Sequence, residues 1–215
     1  MLSSLPTLTT LICVALVAML LLAEYRDSTV GRLLTKPWAS LAFVATGMLL
    51  EGGSGLWREQ WLIWGLWLCM GGDIALIFRE PRVFLAGLVS FLLGHVCFAV
   101  SFLLHRVHPT GFAVGVGVAM IPAVPAVAWM WKSIEPPMRV PVAAYTVVIV
   151  AMVGCAASAW WGLAPALIPL GAAAFLLSDL SVALDRFVQR SFVHRAWGLP
   201  LYYGSVLTIA WSLAF

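Results

Sequence analysis

The sequence predicts an all-helical, polytopic membrane protein in which eight transmembrane helices form one domain over residues 1–215, with both termini outside the cytoplasm. Three observations carry this. The chain is 63% hydrophobic and 10% charged, whereas an ordinary soluble domain is about 25% charged. Apolar stretches of spanning length recur along its whole extent, each near the roughly 20 residues that cross a bilayer. The Lys and Arg residues alternate between rich and poor connections, as the positive-inside rule requires.

The spans fall near residues 5–24, 37–52, 60–78, 83–104, 111–131, 141–161, 163–184 and 197–215. The first follows Met1 to Pro6 without a Lys or Arg, and its positive flank, Arg26 and Arg32, comes after it. That is the pattern of a retained helix with an exported N-terminus, not of a signal peptide. Lys36-Pro37 opens the second span and Gly52-Gly53-Ser54-Gly55 closes it. Glu80-Pro81 separates the third and fourth spans, and Glu135-Pro136-Pro137 the fifth and sixth. Only Trp160-Trp161-Gly162 divides the sixth from the seventh, so seven spans is the rival count. Pro122, Pro125, Pro165 and Pro169 predict kinks in helices five and seven. Several tryptophans, Trp38, Trp57 and Trp129 among them, sit where helices meet the membrane interface.

The connections after spans one, three, five and seven hold Arg26, Arg32, Lys36, Arg79, Arg82, Lys132, Arg139, Arg186, Arg190 and Arg195; the others hold only Arg58 and Arg106. The richer set faces the cytoplasm. The net charge of +3 is spread over short loops with no basic run, which excludes a nucleic-acid surface. Cys13, Cys69, Cys97 and Cys155 all lie in apolar stretches without a CxxC pair, so they read as structural thiols.

Ionisable groups inside a bilayer are costly, and each is a functional hypothesis. Asp73, His95 and Asp179 are those within the spans. At 1.5 Å per residue, Asp73 lies roughly 9 Å and Asp179 roughly 10 Å above the cytoplasmic end, counted from Arg79 and Arg186. Tyr145, Tyr202 and Tyr203 fall in the same layer, and Lys36 guards its mouth. His95, counted from Arg82, lies roughly 20 Å deep. Ser178 is a local partner for Asp179, and Asp185 beside Arg186 reads as a surface pair. Two carboxyls at one depth suit acid–base chemistry, because like charges in a low dielectric do not both ionise and one becomes an acid, the other a base or electrostatic stabiliser. One intramembrane His and two distant Asp do not make a metal-ligand set, so no metal or cofactor is expected.

Thr35-Lys36-Pro37, Met70-Gly71-Gly72-Asp73, Phe91-Leu92-Leu93-Gly94-His95 with Phe98, Gly171-Ala172-Ala173-Ala174-Phe175-Leu176-Leu177-Ser178-Asp179 and Tyr202-Tyr203 occur in an order that resembles the YhhN-like family of membrane proteins, which includes the lysoplasmalogenases. Phe98 stands where the family often has Tyr, and Gly71-Gly72 replaces a more usual Leu-Gly. The resemblance implies hydrolysis of the vinyl ether bond of lysoplasmalogens, giving a fatty aldehyde and a glycerophosphoethanolamine or glycerophosphocholine. It implies Asp73, Asp179 and His95 as catalytic residues and Lys36, Tyr145, Ser178, Tyr202 and Tyr203 as substrate-binding ones. The partners expected are a lysophospholipid and membrane lipid. The expected location is a bacterial inner membrane, with the site opening to the cytoplasmic leaflet. A proton-coupled transporter and a non-catalytic lipid-binding protein are the alternatives.

Overall fold

The computed structural model describes residues 4–78 and 80–215; Arg79, used above to reckon depth and orientation, lies outside them. Among the described residues the fold is all-helical. Eight α-helices follow in order: α1 (Ser4–Tyr25), α2 (Thr29–Glu51), α3 (Trp57–Ala75), α4 (Pro81–Leu103), α5 (Pro109–Met130), α6 (Pro136–Trp161), α7 (Leu167–Ala183) and α8 (Phe192–Trp211). A single π-turn, Leu184–Val188, continues α7.

Their starts follow from local chemistry. Ser28 caps α2 by accepting from the Gly31 N–H at 3.1 Å, Ser191 caps α8, and α4, α5 and α6 each open on a proline, which needs no N–H partner there. Gly162 closes α6, and a Cβ on it would collide with the Arg106 carbonyl oxygen. Leu163 then takes a left-handed φ of 77°, and α6 and α7 are separate helices across the Trp160-Trp161-Gly162 boundary.

Two expectations about proline change. Lys36-Pro37 does not open the second helix: the Ser28 cap starts α2 eight residues before Pro37, which becomes interior and draws Lys36 into the bundle. Pro165 precedes α7 and Pro169 lies in its first turn, where a missing N–H is harmless. Of the four prolines expected to kink helices, Pro122 and Pro125 are interior to their helix, α5.

Neighbouring helices pack as antiparallel pairs, chiefly α1 on α2, α3 on α4, α5 on α6 and α7 on α8, while α4 also packs on α6 and α8 on α1 and α2. Small residues allow the close approach, as expected where lipid removes the hydrophobic drive between helices. A Cβ at Gly65 or Gly72 of α3 would stand 2.5 Å from the Phe98 or Phe91 ring of α4. The central layer is filled by fully buried Phe43, Leu66, Phe98, Phe102, Met152 and Ile209.

Six helices, α1, α2, α4, α5, α6 and α7 with its π-turn, are long and apolar enough to cross a membrane. The two that fall short are α3, with Arg58, Glu59, Gln60 and Asp73, and α8, with His194, Arg195, Tyr202 and Tyr203. Of these, Asp73 of α3 and Arg195 and Tyr202 of α8 line a chamber at one end of the bundle, while Arg58, Glu59 and Gln60 stand at the opposite end of α3.

Candidate active site

A cavity of about 470 Å³ opens at the end of the bundle where α1, α3, α5 and α7 finish and α2, α4, α6 and α8 begin. This is within the usual size of a small-ligand site, about 300–1,000 Å³. Among the described residues it is the end carrying the Lys and Arg side chains other than Arg58 and Arg106. Asp73 and Asp179 both line it, with Lys36, Tyr145, Ser178 and Tyr202. The expectation that the two carboxyls share one chamber matches this geometry.

Their surroundings differ. Lys36 Nζ is 3.3 Å from Asp73 Oδ1, and Ser40 Oγ and the Tyr202 hydroxyl each donate to Asp73 Oδ2 at 2.7 Å. A cation and two hydroxyl donors are what a carboxylate requires inside a low dielectric. Asp179 Oδ2 accepts one hydrogen bond, from the Tyr145 hydroxyl at 2.7 Å. The Asp73 side chain is 2% exposed and that of Asp179 18%, so Asp179 is the carboxyl presented to the chamber.

Between them stands an aromatic wall. Phe91, Phe175 and Tyr202 meet edge to face with ring centroids 5.3–6.4 Å apart. The wall has consequences for His95. Its Nδ1 lies 2.7 Å from the Phe91 carbonyl oxygen, which can only accept, so the ring proton is on Nδ1. Nε2 then faces Asp179 Oδ2 at 3.6 Å and has no hydrogen-bond partner. His95 is fully buried behind Asp179.

Four readings of these residues are corrected. His95 is not set far below the carboxyls. Gly87 of α4 lies against Ala75 and Gly72 at the end of α3, so α4 projects about six residues, roughly 9 Å, beyond that end. Counting from Arg82 overstated the depth of His95 by that amount. Lys36 does not stand at the mouth as a free cation; it is 7% exposed and paired with Asp73, because α2 starts earlier than Pro37 suggested. Tyr203 does not line the chamber. Its hydroxyl lies 3.2 Å from Ser40 Oγ, behind the Asp73 carboxyl. Ser178 lines the chamber but bonds back along its helix to the Phe175 carbonyl at 2.8 Å rather than to Asp179.

Sequence reasoning missed Ser40 and the charged mouth. Ser40 is one helical turn beyond Lys36 and so shares its face, which is the signal that marks it. At the mouth, buried Arg32 reaches Glu24 at 3.2 Å and Asp27 at 3.0 Å. Arg195 reaches Glu24 at 2.8 Å and Asp185 at 3.2 Å. Asp185 therefore pairs with Arg195 and not with its neighbour Arg186, whose guanidinium lies 4.2 Å from the Phe84 ring centroid.

An all-helical bundle with six membrane-length apolar helices and a polar chamber at one end defines the class, a multi-pass integral membrane protein. Within that class the chain belongs to the YhhN family, whose model matches residues 31–213 and so spans every residue of the chamber's inner wall. No curated protein and no solved structure matches the chain.

Proposed function

We propose that the protein is an intramembrane hydrolase that cleaves the vinyl ether bond of single-chain lysoplasmalogens. The observation that carries the reading is the convergence of two differently supported carboxyls on one chamber. In this reading Asp179 is the acid. It gives its proton to the β-carbon of the vinyl ether, and an oxocarbenium ion forms at the carbon bearing the oxygen. The Asp73 carboxylate, held by Lys36, Ser40 and Tyr202, stabilises that cation electrostatically. Water adds to it, the water's proton restores Asp179, and the hemiacetal collapses to an aldehyde and a glycerol hydroxyl. Tyr145 orients the Asp179 carboxyl, and Leu88, Val127, Ile149 and Leu176 give the alkenyl chain an apolar wall.

The topology proposed with it has all eight helices spanning, both termini outside the cytoplasm and the chamber opening at the cytoplasmic leaflet. The crowding of Lys and Arg at the chamber end supports this orientation. The packed layer of Phe43, Leu66, Phe98 and Phe102 behind the chamber favours a single opening over a transport path.

The test is purified protein supplied with lysoplasmenylethanolamine while aldehyde release is measured. Asp73→Asn and Asp179→Asn should each fall about 10²- to 10⁴-fold, the usual contribution of a general acid or base. Aldehyde release by Asp179→Asn at the native rate would end this assignment.

A further inference from the structure

Charge pairing around the chamber leaves one cation over. Five basic side chains line it: Arg32, Lys36, Arg186, Arg190 and Arg195. Lys36 is engaged by Asp73, Arg32 by Glu24 and Asp27, Arg195 by Glu24 and Asp185, and Arg190 by Asp27 at 3.1 Å. Arg186 has no carboxylate partner among the described residues. It is nevertheless held in place, its guanidinium over Phe84 and the Phe84 ring in turn 6.3 Å from Phe187. A guanidinium seated on an aromatic face keeps its N–H edge free for an anion, and its planar fork suits a phosphate.

Its position along the helix adds a second constraint. Arg186, in the π-turn, follows Asp179 of α7 by seven residues, roughly 10 Å along the axis. Both reach the same chamber. One end of a glycerol unit would meet the acid and the other the guanidinium.

Resting on the hydrolytic reading above, we infer that Arg186 receives the phosphate of the lipid headgroup, and that the base beyond the phosphate is not read. The second half follows from the same pairing: Glu24 and Asp185, the carboxylates at the mouth that could hold an ammonium, are already taken by arginines. Phosphate recognition thus falls to Arg186 and not to Lys36, and ethanolamine and choline lipids are bound alike.

The experiment measures equilibrium binding to detergent-solubilised Asp179→Asn protein, which removes turnover. The probes are 1-O-alkyl-glycerophosphoethanolamine, its choline counterpart, the neutral 1-O-alkyl-glycerol and inorganic phosphate. Adding Arg186→Gln should weaken both phospholipids about 10- to 100-fold, the loss of one charged hydrogen-bonded contact, and leave the neutral lipid unchanged. Arg186→Lys should recover much of the loss. The two phospholipids should agree within about threefold, well under one such contact. Equal weakening of the neutral lipid would make Arg186 a structural residue and overturn the inference, as would no weakening at all. Inorganic phosphate binding as tightly as the phospholipids would make the ligand a free anion and overturn the lipid assignment. Since binding is read without turnover, an Arg186 effect in a protein that releases no aldehyde would leave this inference standing and remove only the hydrolytic reading.

Discussion

At the scale of residues, Lys36 and Asp73 are the most deeply buried Lys/Arg–carboxylate pair among the described residues, each side chain under 10% exposed. Removing one partner of such a pair strands the other charge and costs about 3–5 kcal/mol, whereas removing both together is often close to neutral. Lys36→Met should therefore lower thermal stability in detergent sharply, and Lys36→Met with Asp73→Asn should recover part of it. Unchanged stability in the single variant would show that the ammonium and carboxylate do not meet. A related expectation concerns the two carboxyls. Asp73→Asn with Asp179→Asn should be little slower than the slower single variant, since groups that serve one step are not additive; losses that multiply in the aldehyde assay would place them in separate steps. The carboxyls were legible in the sequence because Asp is rare in apolar runs and an Arg marks the nearby helix end. Ser40 was not, because serine is common within helices and gains its role only from Asp73 across the α2–α3 interface. Lys36 was misjudged for a local reason: Pro37 imitates a helix start, and the Ser28 cap overrides it.

At the scale of elements, the α3–α4 pair sets the site. Gly72 allows α4 to approach until Phe91 lies where a Cβ would be, and the Phe91 carbonyl then orients His95 one turn on. Gly72→Ala should push Phe91 outward, destabilise by about 1–3 kcal/mol as overpacking does, and lower activity through His95 and Asp179. Gly117→Ala on α5, where a Cβ meets nothing within 4 Å, is the matched control and should be silent in thermal unfolding and in the aldehyde assay. If both variants behave alike, the close approach has no part in building the site. Helix existence was legible from hydropathy and from proline and serine boundary signals. Relative height was not, since flanking arginines mark the end of each helix separately, and α4 overhangs α3. That overhang is what put His95 too deep.

For the whole molecule, the orientation is open to direct measurement. Reporters fused after Asp27 and after Arg190 should read cytoplasmic, and one at the C-terminus should read outside. With the N-terminus outside, a cytoplasmic C-terminus would require an odd number of crossings and would overturn the eight-span topology. The alternation of basic residues is the sequence signal behind this expectation; it is a property of the whole chain and tolerates an error of a few residues at any boundary.

The polarity of α3 and α8 has a consequence for how the protein is made. Neither meets the length and apolarity of the other six, so in the eight-span topology proposed above each should depend on helices already in the bilayer to accept it. Asp73 leaves the ribosome well over a hundred residues before Tyr202, the partner that finishes its hydrogen bonds. During that interval the nascent chain carries an intramembrane carboxyl supported only by α2. Docking of α8 ends the exposure and completes the chamber in one event. A chain interrupted before α8 would lack Tyr202 and leave the polar seam around Asp73 unfinished.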